Sequence, residues 1–427
     1  MDEILLKEQK KNEKAKHRII GLTLETRPDY IDEEEIVSFR NLGCTRVELG
    51  VQSIYDDVLE LNKRGHLVSE TIRATKLLKD AGFKINFHMM PGLPGSTPAR
   101  DFKMFKQLFE SQDFQPDMLK IYPTVVLKDS ILYNMWKKGQ YKPLSNKTFE
   151  KLVLRIKNET ITPYVRIARL VRDVPTSSII AGPTISNLRQ IIIPQSKCPC
   201  IRCREVREGY LPRLAKAIAR RREAGEVENE IILDRIDYTA SDGKEIFLQY
   251  VSKKNNPSLS FPPLNKGRAR VGSNDASNQK LFALLRLRIP SIFCHSERNE
   301  ADNGGRMQSK NLGPDLSTSS RSAELNFAQD DIEKIDNEKL YELFPVLKNS
   351  ALIREVHTYG KLTQIDKQNS SSPQHIGLGK KLLIEAERIS KEEFGLNKIV
   401  VISGVGVRGY YKKSGYKLRD TYMVKSL

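Results

Sequence analysis

Long apolar runs are missing from this 427-residue chain, and none approaches the length of a membrane span. Its first stretch, MDEILLKEQKKNEKAKHR, has no apolar h-region behind the charges, which excludes a secretory signal there. Cytoplasmic residence is the expectation. Cysteine is scarce, five in all, and three of the five crowd together at Cys198, Cys200 and Cys203. Such a cluster does not make a disulfide framework; in a reducing compartment it points to a metal. Acidic residues fall short of basic ones, 53 against 71, for a formal net charge of +18. The resulting positive field attracts polyanions, nucleic acid first, and suits an anionic cofactor such as coenzyme A. No glycine-rich dinucleotide fingerprint follows the first expected strand, which argues against a Rossmann fold.

Apolar residues still make up 39% of the chain, enough for a buried core and two or three domains. From His17 to about Pro175 short apolar runs alternate with amphipathic stretches. HRIIGLTLE, TRVELGVQ, KINFHMM, DMLKIYP and VRIARLV read as strands; DEEEIVSFRNLG, YDDVLELNKRG, SETIRATKLLKDAG, RDFKMFKQLFE and TFEKLVLRIKNE read as helices. That alternation predicts parallel βα units. In a βα barrel the working residues stand at the carboxyl ends of strands. Here those ends read Glu25-Thr26-Arg27-Pro28, Gly50-Val51-Gln52-Ser53, Met89-Met90-Pro91-Gly92, Tyr122-Pro123-Thr124 and Arg169 to Asp173.

Residues 178–230 read as a basic, cysteine-containing connector. Its helix YLPRLAKAIARRREAG places Arg213, Lys216, Arg220, Arg221 and Arg222 where they can contact phosphate. Cys198, Cys200 and Cys203 form C-x-C-x₂-C, close enough to share one soft metal, zinc or an iron–sulfur centre. From Ile231 to Leu427 the pattern is mixed α/β. Two segments, about 255–278 and 293–331, are rich in Pro, Ser, Asn and Gly without apolar periodicity; they read as disordered insertions. In this last domain Gln374-His375-Ile376-Gly377-Leu378-Gly379-Lys380 opens an amphipathic helix after a strand. A Q-x-x-G-x-G turn frees backbone N–H groups at a helix N-terminus to cradle a pyrophosphate. Farther on, Tyr411 lies in GYYKKSGY, where a phenol can give a proton to a leaving thiolate.

These stretches together resemble the elongator catalytic-subunit family, the tRNA carboxymethyluridine synthases. The likeness rests on LTLETRPDYI, GCTRVELGVQSIYDDVL, NKRGH, HMMPGLPG, DMLKIYPT, CIRCREV, LLRLR, IREVHTYG and the run from EAERI to KKSGY. It covers nearly everything except the two insertions and the first few residues. The resemblance implies a partial radical-SAM (βα) barrel over residues 1–177 and a GNAT-like mixed α/β acetyl-CoA domain over 231–427. It implies S-adenosylmethionine and a 4Fe-4S cluster as cofactors and tRNA as partner, and it is compatible with a homodimer or elongator-like partners. Acetyl-CoA would donate its acetyl carbon to C5 of the wobble uridine. Glu355, Val356, His357 and Thr358 would line the acetyl-CoA site, Leu378, Gly379 and Lys380 would hold its phosphates, and Tyr411 would sit at the thioester. The CPCIRC cysteines resemble a zinc element of prokaryotic-type members. Family members carry the cluster cysteines, and a lysine that engages acetyl-CoA, ahead of what is the first strand here. This chain is therefore expected to be a truncated form that lacks the cluster-binding segment. A GNAT lysine acetyltransferase acting on proteins, or a tRNA-binding remnant without catalysis, are the alternatives.

Overall fold

The computed structural model describes residues 3–171, 174–206, 231–253, 279–290, 337–359 and 377–427. The expected insertions, the basic helix and Gln374 to Ile376 lie almost wholly outside these residues.

Helix α1 (Glu3–Lys14) leads into five parallel strands: β1 (Leu22–Thr26), β2 (Cys44–Gln52), β3 (Lys84–Met89), β4 (Met118–Ile121) and β6 (Arg166–Arg169). They pair in the order β1-β2-β3-β4-β6. Between them run α2 (Glu33–Leu42), α3 (Asp56–Leu61), α4 (Val68–Asp80), α5 (Pro98–Glu110), α6 (Ile131–Lys137) and α7 (Asn146–Glu159). The starts of these helices are written in the sequence. Asp32, Thr97 and Ser145 each accept a backbone N–H of the first turn, and Gly43 ends α2 at φ 85°. A two-stranded ribbon, β5 (Val126–Leu127) with β7 (Ile179–Ala181), stands past the carboxyl ends of β4 and β6. Two short helices, α8 (Leu188–Ile192) and α9 (Ile201–Arg204), then lead away from this sheet.

The second sheet has seven strands in the order β13-β14-β12-β11-β10-β9-β8. These are β8 (Ile231–Ala240), β9 (Gly243–Ser252), β10 (Leu281–Ile289), β11 (Ala351–Thr358), β12 (Lys398–Val401), β13 (Lys417–Arg419) and β14 (Tyr422–Ser426). Helices α10 (Glu338–Leu343), α11 (Leu378–Arg388) and α12 (Arg408–Lys413) complete it. The run YKLRDTYMVKSL reads as one strand, yet it folds as a hairpin. Arg419 pairs with Tyr422 across a two-residue turn in which Asp420 takes φ 51°, a conformation aspartate tolerates.

Alternating charge on β10 does not mark a solvated face. Leu285 and Leu287 point one way, Arg286 and Arg288 the other, and all four are buried. The arginines face the parallel sheet. Arg288 Nε donates to Asp80 Oδ1 at 2.7 Å, and Arg286 Nη2 donates to the Tyr164 carbonyl at 2.6 Å. Arg354 of β11 donates to Asp117 through both terminal nitrogens and to Glu245 at 3.0 Å. Lys79 Nζ lies 3.7 Å from Glu245 and 3.9 Å from Asp117. Tyr164 and Tyr238 stack at 3.8 Å beside this cluster, and Tyr422 donates to the Ala81 carbonyl. One hydrophobic core is continuous through both sheets.

Burial lowers the Lys79 ammonium to about 8, more than its carboxylate neighbours restore. The folded chain then binds fewer protons than the unfolded one between pH 8 and the ordinary lysine value. Unfolding free energy should rise with pH through that window, and Lys79→Met should flatten the slope in denaturant titrations. Arg354→Met, which strips Asp117 and Glu245 of their main partner, should cost about 3–5 kcal/mol by the same measurement.

Candidate active site

Strands β11 and β12 pair only from Ala351 to Ile353 against Ile399 to Val401. Beyond that point the register of β11 on β10 steps by one residue at Arg354, and β11 continues on β10 alone. A bulge of this kind re-aims the residues after it. It opens a gap between β11 and β12, and the gap is the mouth of a cleft of about 380 Å³. Its far wall is the amino end of the parallel sheet: Leu22, Thr23, Thr45, Arg46 and Lys84. Gly404 and Gly406 let the Arg18–Gly21 backbone close one side. A Cβ on Gly404 would stand 2.1 Å from the Ile20 carbonyl oxygen, and Gly406 N–H donates to the Ile19 carbonyl.

Glu355, Val356, His357 and Tyr411 all line this cleft. The Glu355 carboxylate accepts from Lys84 Nζ at 2.6 Å and from Arg286 Nε at 2.9 Å. Burial alone would raise its pKa, but these two cations and His357 hold it well below the usual range. Burial pushes the His357 imidazole down, so it is neutral at pH 7 although its edge is open to the cleft. Tyr411 is pushed up, by burial first and then by Tyr410 and Glu355, and keeps its proton. Thr358 does not line the cleft. With Tyr410 it stands over the turn that opens α11: a Cβ on Gly379 would lie 3.0 Å from the Tyr410 hydroxyl and 3.5 Å from Thr358 Cγ2. Gly377 sits at φ 74°, which presents the first N–H groups of α11, those of Leu378, Gly379 and Lys380, without intrahelical acceptors. The Leu378 side chain is buried, so only its backbone can serve a ligand, while Lys380 is exposed.

Lys84, Arg46 and Tyr410 escape a reading confined to the carboxyl ends of strands. Lys84 and Arg46 stand at amino ends, and only the docking of the second sheet makes them part of a site.

The carboxyl rim is a separate polar region. One layer inside it, the Glu48 carboxylate accepts from His88 Nε2 at 2.8 Å, from Asn86 Nδ2 at 3.1 Å and from Lys120. Burial by itself would raise this carboxyl, yet those hydrogen bonds outweigh it and hold the group at about 2. Gln52 takes φ 66°, and its Oε1, like Asn86 Oδ1, is buried without a hydrogen-bond partner among the described residues. Arg46 and Gln52 are six residues apart on β2, so cleft and rim are separated by roughly 20 Å of strand.

The Sγ atoms of Cys198, Cys200 and Cys203 lie within 4.8 Å of one another, a fit for one metal ion. Lys157 Nζ donates to Cys203 Sγ at 3.4 Å. Ile201 N–H donates to the Val165 carbonyl, which places the triad at the amino end of β6. That is the end opposite the rim. Among the described residues no thiol stands at the rim, so these cysteines do not fit a cluster working there.

Residues 1–108 match the Radical SAM superfamily, and residues 116–196 match the Radical_SAM C-terminal domain. A tRNA uridine(34) acetyltransferase of Dehalococcoides mccartyi is 38% identical over 97% of this chain and 74% of its own length. The chain belongs to the tRNA uridine(34) acetyltransferase and Elongator protein 3 family. The Methanocaldococcus jannaschii member is 39% identical over 98% of this chain, and human Elongator complex protein 3 is 34% identical over 98%. The chain spans 64% and 62% of the lengths of those two relatives. Among solved structures, the family's Methanocaldococcus infernus Elp3 with an N-terminal deletion superposes at a TM-score of 0.70. It is 38% identical, over 99% of this chain and 82% of the other.

Elemental analysis of the purified protein should find about one zinc per chain, lost in the Cys200→Ser/Cys203→Ser variant. Equal metal content in parent and variant would contradict a metal role for the triad.

Proposed function

We propose that the chain carries out the acetyl-CoA-dependent part of wobble-uridine carboxymethylation in tRNA. The observation that carries this reading is the composite cleft, in which a GNAT-like splay between β11 and β12 opens onto the parallel sheet of a radical-SAM relative. In this reading the pyrophosphate of acetyl-CoA lies on the N–H groups of Leu378, Gly379 and Lys380, where the helix dipole favours negative charge. The thioester lies between Glu355, His357 and Tyr411. Lys84 and Arg286 keep Glu355 ionised and fixed. Tyr411, which holds its proton far above neutral pH, donates it to the departing thiolate. Water adds to the thioester carbonyl as the C–S bond breaks, giving the carboxylate, and neutral His357 takes the proton that this water loses. Glu355, Val356, His357 and Thr358 form the arm along which the pantetheine runs.

S-adenosylmethionine would lie at the carboxyl rim, where the unpartnered acceptor Gln52 Oε1 suits its N–H and O–H groups. Bound there, it supplies radical chemistry at unactivated carbon. The iron–sulfur cluster has no thiol ligand at that rim among the described residues. The organisation proposed is a radical-SAM partial barrel up to about residue 177, a connector to 230 and an acetyl-CoA domain beyond it.

Thiol release from acetyl-CoA, with and without an anticodon stem-loop, tests the reading. Release should depend on the stem-loop and favour uridine over cytidine at position 34. Tyr411→Phe should lower it on the order of 10²-fold while leaving acetyl-CoA affinity near the parent's. Gly379→Glu, which puts bulk and like charge on the phosphate turn, should weaken acetyl-CoA binding by about 2 kcal/mol or more in calorimetry. Turnover indifferent to RNA and stimulated by lysine peptides would instead favour a protein acetyltransferase.

A further inference from the structure

Helix α6 has no place in the site described above and no role in the core. Its sequence, ILYNMWK, contains an isoleucine, a leucine, a methionine, a tyrosine and the chain's single tryptophan, yet none of its residues is buried. Ile131 is 73% exposed. By contrast, the neighbouring helices α5 and α7 each bury an apolar face. The geometry of α6 is nonetheless definite. Ser130 Oγ accepts the Tyr133 N–H, and the Tyr133 and Trp136 rings lie 5.8 Å apart with a 36° tilt. Lys137 Nζ stands 4.8 Å from the centre of the Tyr133 ring. This partly open aromatic pair lies outside the hydrophobic core.

Its position is equally specific. Strand β5, just before α6, lies past the carboxyl end of β4 and pairs with β7. Ahead of it, Thr124 N–H donates to the Pro91 carbonyl in the rim loop after β3. On the far side of α6, the Tyr141 hydroxyl donates to the Gly92 carbonyl of the same loop at 2.6 Å. So α6 is fastened at both ends to the carboxyl rim, the face on which barrel enzymes receive substrate. Charge is interleaved with the aromatics. Lys128, Lys137, Lys138, Lys142 and Lys147 are exposed against a single acid, Asp129, and none of the five is in an ion pair with a described residue. A lysine-rich surface is a poor match for an apolar or basic protein partner. It complements a polyanion that also offers flat, unpaired rings.

We propose that Tyr133 and Trp136 form a stacking platform for unpaired bases of an RNA loop, with the surrounding lysines holding its phosphates. Base stacking on aromatic side chains tolerates any base, because every base has a π-face. The platform thus places a loop on the rim without reading its sequence. The inference rests on the RNA reading under Proposed function, and it adds where that RNA docks.

Trp136 is the chain's only tryptophan, so its emission reports on this surface alone. An anticodon stem-loop titrated into the full chain should quench it saturably, whereas a fully paired duplex of equal length should not. By anisotropy of labelled RNA, Trp136→Ala should weaken binding by about 5- to 100-fold, and Trp136→Phe should recover most of the loss. Because Trp136 is only partly buried and lies outside the hydrophobic core, both variants should stay folded, with the parent's circular dichroism spectrum and a cooperative unfolding transition. Lys137→Gln with Lys138→Gln should lower the slope of log affinity against log salt by about one to two. Stem-loop binding with unchanged emission and parent-like affinity of Trp136→Ala would overturn the platform while leaving the RNA reading intact. Failure of any RNA to bind would overturn both. Self-association that Trp136→Ala abolishes would give the surface to a second copy of the chain and overturn the proposal.

Discussion

Asp117 and Glu245 are carboxylates with almost no exposure, one at the start of β4 and the other on β9, and Arg354 reaches both. Around them Lys79 faces Asp117 and Glu245, Arg286 faces Asp117 and Glu355, and Arg288 faces Glu245 and Asp80, so cations and carboxylates interleave between the two sheets. Taking that many charges out of water is costly, and a well-packed apolar interface could hold the sheets together as firmly. What an apolar interface lacks is direction. Each guanidinium here has a fixed fork and specific acceptors, among them the Phe83 and Tyr164 carbonyls, so a sliding error would leave buried charges unpaired. The cluster therefore sets the register in which the sheets meet. That register brings Lys84 opposite Glu355 and turns the gap at Arg354 into a closed cleft.

Much of this was legible in the sequence. The five parallel strands follow from alternating apolar runs and amphipathic helices, and the α11 turn follows from glycines placed before a helix. The family resemblance named the residues along β11, and Glu355, Val356, His357 and Tyr411 do meet in one cleft. Other features were not readable because they depend on contacts between distant segments. Arg286 and Arg288 look like the wet face of a strand until another sheet covers them. Lys84 looks like the start of a strand at the end of a barrel that usually serves stability. The hairpin at Asp420 is hidden because its turn is made of a left-handed aspartate and a threonine, without glycine. Helix α6 is a different case: a short run rich in apolar residues that lies outside the core.

The separation of cleft and rim gives the charge surplus a purpose. Under the proposed function anionic acetyl-CoA would enter between the sheets, whereas an RNA loop would approach the carboxyl rim, where Lys128, Lys137 and Lys138 are exposed. Between them runs a polar interior rather than the packed aliphatic layers typical of barrels. Arg46, Glu48, Asn86, His88 and Lys120 occupy it; Glu48 accepts from Asn86, His88 and Lys120, and Arg46 lies 3.9 Å from it as an ion pair.

Under the proposed function both sheets together build the acetyl-CoA cleft, and Lys84 acts on the ligand through Glu355. A double-mutant cycle on acetyl-CoA affinity tests it most directly, using Lys84→Met, Glu355→Gln and the two combined, each measured by calorimetry. If Lys84 serves to hold Glu355, the combined loss should fall short of the sum of the single losses by about 1 kcal/mol or more. Strict additivity, or a Lys84→Met variant that binds acetyl-CoA like the parent, would show that the parallel sheet is only a neighbour of the site.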